Sequence, residues 1–157
     1  MILTHIDENG NARMVDVSEK EATKRTAVAQ GFITMTRECY EMVKDGTHKK
    51  GDVAGVARVA GIMGAKKTAE LIPLCHNIPL SNAELDFEYD DEKCMIKAIC
   101  TVSCEAKTGV EMEALTGVQI ALLTVYDMCK SVDRAMVMDG IRLVSKSGGK
   151  SGNWSLD

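Results

Sequence analysis

Proline is nearly absent from this chain of 157 residues, with only Pro73 and Pro79. No proline-rich linker or low-complexity tract divides the sequence. Both prolines fall in LIPLCHNIPL, residues 71–80, and flank Cys75 and His76. Aromatics are scarce as well: three Tyr, two Phe and one Trp leave little from which to build a base-stacking surface. Neither sign of charge dominates, since 19 Lys and Arg stand against 23 Asp and Glu for a net charge of −4. That balance argues against broad adhesion to nucleic acid or to an anionic membrane. The longest apolar run, Ile120 to Tyr126, is interrupted by Thr124. It falls far short of the ~18 residues of a membrane span. The opening MILTHIDENGNAR has neither the basic region nor the apolar core of a signal peptide, so a cytoplasmic protein is expected.

What is present fits an ordinary globular domain, 45% apolar and 27% charged. One domain is expected over residues 1–157, with a peripheral segment at 1–20 and a mobile Gly-rich tail at 147–157. The six cysteines are expected to be reduced, since nothing marks the chain as a small secreted scaffold.

RTAVAQGFITM (25–35) alternates as a strand with Ala27, Ala29, Ile33 and Met35 on one face. RECYEMVK follows as a short helix, N-capped by Thr36 and stopped at Asp45-Gly46. A second helical region opens at the N-cap Asp52 and runs to the LIPLC corner. The glycines inside it, at 55, 61 and 64, suggest close helix approach. NAELDFEYDDEKCMIKAICTVSC reads as a hairpin with its turn at residues 90–93. In the second strand Cys94, Ile96, Ala98, Cys100, Val102 and Cys104 share one parity, which makes those thiols core groups rather than ligands of one ion. The longest helix is TGVEMEALTGVQIALLTVYDMCKSVDRAM. It is expected to start at Thr108 with an acidic first turn and to bury Leu115, Ile120, Leu122, Leu123 and Tyr126. IRLVSKS is a last strand. The order β, α, α, β, β, α, β predicts an α+β fold, a four-stranded antiparallel sheet covered by helices on one face.

Several residues carry potential chemistry. HKKGD precedes a helix N-terminus, where lysines and free N–H groups favour an anion, although solvated surface lysines are the plain alternative. SKSGGKSG can bring Lys150 over a phosphate as a flap or simply end the chain; it lacks the spacing of a Walker loop. Asp127 and Lys130 are neighbours on one helix face, either as an exposed ion pair or as a carboxylate orienting a lysine for proton transfer. In an extended segment Cys75 and His76 point to opposite faces, so packing for one and a polar contact for the other is the default.

Taken together, HKKGDV, LIPLCHNIPL, KTGVEMEALT, TVYDMCK and KSGGKSG resemble the molybdenum cofactor biosynthesis protein C family, the cyclic pyranopterin monophosphate synthases. The likeness runs in order across residues 3–153. One departure is Asn77, where many relatives have proline. The resemblance implies a ferredoxin-like fold and a homohexamer, a trimer of dimers with active sites at subunit interfaces. It implies an enzyme that converts a cyclised GTP derivative, a small-molecule substrate, to cyclic pyranopterin monophosphate with release of pyrophosphate. No cofactor and no metal are implied. Position by position, Asp127, Lys50 and Lys130 match the catalytic residues. Leu74, Cys75, His76, Met112 and Glu113 match substrate contacts, and Arg25 and Lys146 match contacts to the triphosphate.

Glu113 and Lys130 are seventeen residues apart on one predicted helix, roughly 25 Å at 1.5 Å per residue. One compact nucleotide cannot touch both. The helix must break, or its two ends belong to two different sites, each completed by a second subunit.

Overall fold

A computed structural model describes residues 4–156; Met1, Ile2, Leu3 and Asp157, which belong to the expected peripheral segment and tail, lie outside the described residues. The chain runs β1 (Thr23–Thr34), α1 (Arg37–Lys44), α2 (Val53–Lys66), α3 (Thr68–Leu71), β2 (Leu80–Asp90), β3 (Met95–Ala106), α4 (Glu111–Cys129), β4 (Val137–Ser147) and β5 (Trp154–Ser155). The strands form one sheet in the order β2-β3-β1-β4-β5, with every neighbouring pair antiparallel. The first four strands have the split crossover arrangement of a ferredoxin-like α+β fold, as expected. The fifth departs from the expectation: part of the anticipated tail folds back, pairing Ser145 with Ser155 and Lys146 with Trp154.

The period-2 reading of β1 holds because one face is covered. Ala27, Ala29, Ile33 and Met35 are buried, as are Ile96, Ala98, Cys100, Val102 and Cys104 beside them. The intervening Val28, Gln30 and Phe32 are only half-buried on the opposite face. Thr36 caps α1 by accepting from the Cys39 N–H, and Asp52 caps α2 by accepting from Gly55 N–H at 2.8 Å. Cys94 lies in the hairpin turn rather than in β3, at φ 49°, and is still buried.

The long helix is shorter than expected at both ends. Thr108 does not start it. Val110 precedes the first turn without a side-chain cap, and Glu111 and Glu113 place two carboxylates in that turn. Acidic groups at the positive end of the helix dipole thus replace the hydroxyl. At the other end residues 131–136 leave the helix in a turn, held by buried Asp133, whose carboxylate accepts from Thr36 N–H and Ala135 N–H at 2.8 Å each. Leu123 faces outward, 51% exposed, and Leu115, Ile120 and Tyr126 are half-buried. The buried stripe consists largely of small residues, Ala114, Gly117, Val118 and Ala121, joined by Leu122 and Val125.

Those small side chains let α4 lie close to both the sheet and α2. A Cβ on Gly61 would meet the Leu85 side chain, the Gly117 carbonyl at 2.9 Å and the Ala121 Cβ at 3.1 Å. Replacing Gly61 with Ala is a direct test. Helix propensity alone favours alanine by about 1 kcal/mol, whereas forcing the helices apart costs about 1–3 kcal/mol. Thermal melting of Gly61→Ala is expected to show net loss of stability. A rise in Tm would mean that close approach is not why glycine is needed.

Candidate active site

At the N-terminal end of α4 a cavity of about 750 Å³ opens between three segments. The first turn of α4 contributes Glu111, Met112 and Glu113, the corner before β2 contributes Leu74, Cys75 and His76, and the N-terminal segment contributes His5, Val15 and Val17. Residues 72–75 form a β-turn in which Cys75 N–H donates to the Ile72 carbonyl at 3.1 Å, with Pro73 at its second position. Cys75 closes that turn, and Cys75 and His76 both line the cavity. The N-terminal segment, expected to be peripheral, is a wall of the cavity. His76 Nε2 donates to the Val15 carbonyl at 2.6 Å, and Lys107 Nζ donates to the Ser18 carbonyl at 2.6 Å.

Two carboxylates at the helix start face different surroundings. Burial pushes the Glu113 carboxyl up, and repulsion from Glu111 adds to this; its own backbone N–H and nearby His76 only partly compensate. Burial acts on Glu111 in the same sense, but there the Lys146 hydrogen bond at 2.9 Å, its own backbone N–H and the charges of Lys146 and Arg25 together outweigh it and hold the group down. Paired carboxyls whose proton affinities diverge are suited to different tasks, one ionised and one able to hold a proton. Burial, followed by the Glu113 charge, raises the Cys75 thiol, so at neutral pH it is a thiol and not an activated nucleophile.

Arg25 and Lys146 stand beside this cavity. They share a small neighbouring depression with Glu111 and Gly148, and Glu111 lies between the two hollows. Arg25 Nε donates to the Ala106 carbonyl at 3.0 Å, which aims the guanidinium along the end of the sheet. Gly148 and Gly149 pass directly over it in left-handed conformations, with φ 91° and 76°. A Cβ on Gly149 would collide with the Arg25 guanidinium and one on Gly148 with the Lys24 carbonyl, so the backbone reaches this cationic spot only because no side chains intervene.

The remaining three residues lie at the other end of the helix. Lys130 Nζ pairs with Asp127 Oδ1 at 2.6 Å, and Lys50 Nζ donates to the Asp127 backbone carbonyl at 3.1 Å. The hydrogen bond from Lys130, then its charge, and finally that of Lys50 hold Asp127 below the usual carboxylate range. Both partners of the ion pair are more than half exposed, and such a pair alone contributes little to stability. The helix between the two groups is continuous from Glu111 to Cys129, so the alternative of a broken helix is removed. Seven of the ten expected site residues are brought together at one end, and Lys50, Asp127 and Lys130 at the other. Among the described residues no group of three or more His, Cys, Asp or Glu is placed to hold a metal.

Sequence reasoning missed the contribution of residues 5–17 to the cavity, for which turn-like polar sequence held no signal. It also missed Glu111 as the partner of Lys146, although the acidic first turn was visible.

Fold and site together define a ferredoxin-like α+β protein with a cavity large enough for a small molecule and cations at its margin. The family model described as the MoaC family matches residues 14–149. The chain is 54% identical over 153 residues to the cyclic pyranopterin monophosphate synthase of Clostridium acetobutylicum, covering 98% of this chain and 95% of that protein. It is 56% identical over 152 residues to a protein of the same name from Chloroflexus aurantiacus, covering 97% and 93%. It is 54% identical over 152 residues to one from Thermomicrobium roseum, covering 97% and 92%. The chain belongs to the MoaC family.

The raised Glu113 carboxyl has a measurable consequence. A carboxyl whose affinity for its proton rises on folding stabilises the fold at low pH and loses that contribution as pH rises through its folded-state pKa. Glu113→Gln is therefore expected to melt above the parent at pH 7–8, with the difference closing as pH falls into the ordinary carboxylate range. Parallel melting curves across that range would show that Glu113 is not destabilised by ionisation.

Proposed function

We propose that this chain is a cyclic pyranopterin monophosphate synthase, which converts the cyclised dihydroguanosine triphosphate intermediate to cyclic pyranopterin monophosphate with release of pyrophosphate, in molybdenum cofactor biosynthesis. The observation that carries the reading is the similarity, over nearly the whole chain, to synthases of that name. The geometry supports it in particular ways. A cavity of about 750 Å³ is within the size range of small-molecule sites. The buried Glu113 carboxylate suits the N–H edge of a guanine-derived ring, with Leu74, Met112 and Cys75 giving shape and His76 a polar contact. Arg25 and Lys146, with the Gly148-Gly149 backbone above them, suit the triphosphate.

Ring opening and closure need proton donors and acceptors, and here Lys50 and Lys130 have that role, with Asp127 as the carboxylate that orients Lys130. In the single chain these lysines lie in the open, whereas proton transfer near neutrality calls for burial or neighbouring positive charge. A second subunit laid over the C-terminal end of α4 supplies both if it brings its own cationic cavity there. The active site is then composite, one helix end from each of two chains, in a homohexamer arranged as a trimer of dimers. Substrate and product are small phosphorylated molecules, and a cytoplasmic setting suits them.

Incubation with the cyclised GTP intermediate is expected to release pyrophosphate and form the cyclic phosphate product; no pyrophosphate above background would refute the assignment. In the same assay Lys50→Ala and Lys130→Ala are each expected to reduce turnover to background while substrate affinity stays within about threefold. Parallel losses of binding and turnover would make them phosphate clamps instead.

The composite site is tested by subunit exchange. Mixing inactive Glu113→Ala and Lys130→Ala proteins is expected to restore part of the activity, because some mixed interfaces then hold two intact helix ends. No recovery under verified exchange would place both ends' functions within one chain.

A further inference from the structure

We propose that His48 is the positioning residue for Lys50 and acts through its Nδ1. This rests on the reading of Lys50 as a proton-transfer group. His48 begins the HKKGD loop that joins α1 to α2 and is 5% exposed. Its Nδ1 accepts the Lys50 backbone N–H at 3.2 Å, while its carbonyl accepts the Gly51 N–H at 2.9 Å. The two bonds lock a tight turn in which Gly51 takes the left-handed conformation, φ 90°. From that turn Lys50 Nζ reaches the Asp127 carbonyl at 3.1 Å. The direction in which Lys50 leaves the loop is thus set by the side chain two residues before it.

The other ring nitrogen supplies an independent argument. Because Nδ1 accepts an N–H it carries no proton, so in the neutral ring the proton sits on Nε2. Nε2 is buried and has no hydrogen-bond partner among the described residues. Leaving a buried donor unpaired costs about 1–3 kcal/mol. For stability alone an apolar ring of similar size would serve better at this position. What an apolar ring cannot supply is the acceptor for Lys50 N–H, and that bond is the one side-chain hydrogen bond of His48 among the described residues.

Substitutions separate the acceptor from the bulk. His48→Asn places Oδ1 where the imidazole has Nδ1 and can make the same bond to the second residue on. His48→Phe keeps the ring and loses the acceptor. In the full-length enzyme kcat of His48→Phe is expected to fall about 10- to 100-fold with KM nearly unchanged, the scale of a misplaced catalytic group. His48→Asn is expected to retain most of the turnover. Amide hydrogen exchange across residues 46–52 should quicken in His48→Phe and stay slow in His48→Asn. If His48→Phe folds poorly, His48→Gln replaces it, because its polar end falls at the Nε2 position and it should show the same loss. Equal turnover in the Asn and Phe variants would overturn the proposal. Lys50→Ala turning over at the parental rate would instead overturn the role of Lys50, and the exchange measurement would still decide whether His48 holds the turn.

Discussion

The near contact of α2 and α4 is the constraint on which the rest of the molecule depends. Gly61 and Gly117 face one another with no room for a Cβ on either, and a Cβ on Gly117 would also meet the Cys100 sulfur of β3 at 2.6 Å. Helix, helix and sheet therefore converge where side chains are smallest. Close packing of this kind removes water from backbone and side chains alike and leaves little freedom for sliding. The hold on α4 is extended along its length by Ala114, Val118, Ala121 and Val125, all buried. Once α4 is seated, the positions of both its ends follow.

The ends differ in electrical character. At the N-terminus two carboxylates meet free N–H groups and the positive end of the dipole, and Lys146 and Arg25 stand behind Glu111. At the C-terminus Lys50 donates to a terminal carbonyl and Lys130 to the Asp127 carboxylate. At the C-terminal end a backbone carbonyl, that of Asp127, is satisfied by the Lys50 side chain. A rigid helix nearly 30 Å long keeps the two sets of charges apart within one chain.

Much of this was legible in the sequence because it is local. The caps Thr36 and Asp52 lie one residue before their helices, the hairpin turn, one residue later than expected at 91–94, separates two alternating runs, and the buried parity of β1 and β3 needs only a period of two. The failures are equally local in cause. Thr108 looked like a cap, but the acidic side chains of the first turn took over that work. Leu123 is apolar yet faces outward, because α4 is buried through its small residues and not its large ones. The tail around Trp154 contained no strand pattern, and its pairing comes from the edge that β4 leaves open.

By itself the sequence determined the order of the first four strands and the three longer helices, the buried faces of β1 and β3 and, through the resemblance of its motifs, the family. Those properties depend on spacing along the chain, and spacing can be read directly. Only the tertiary structure decided that residues 5–17 wall the cavity and that Glu111 joins Lys146. It also decided that α4 remains unbroken, so that the ten residues divide into two groups. These depend on contacts between segments as distant as Val15 and His76 or Lys50 and Asp127. Such contacts are made only after helices and sheet have packed, and no periodicity in the chain encodes them.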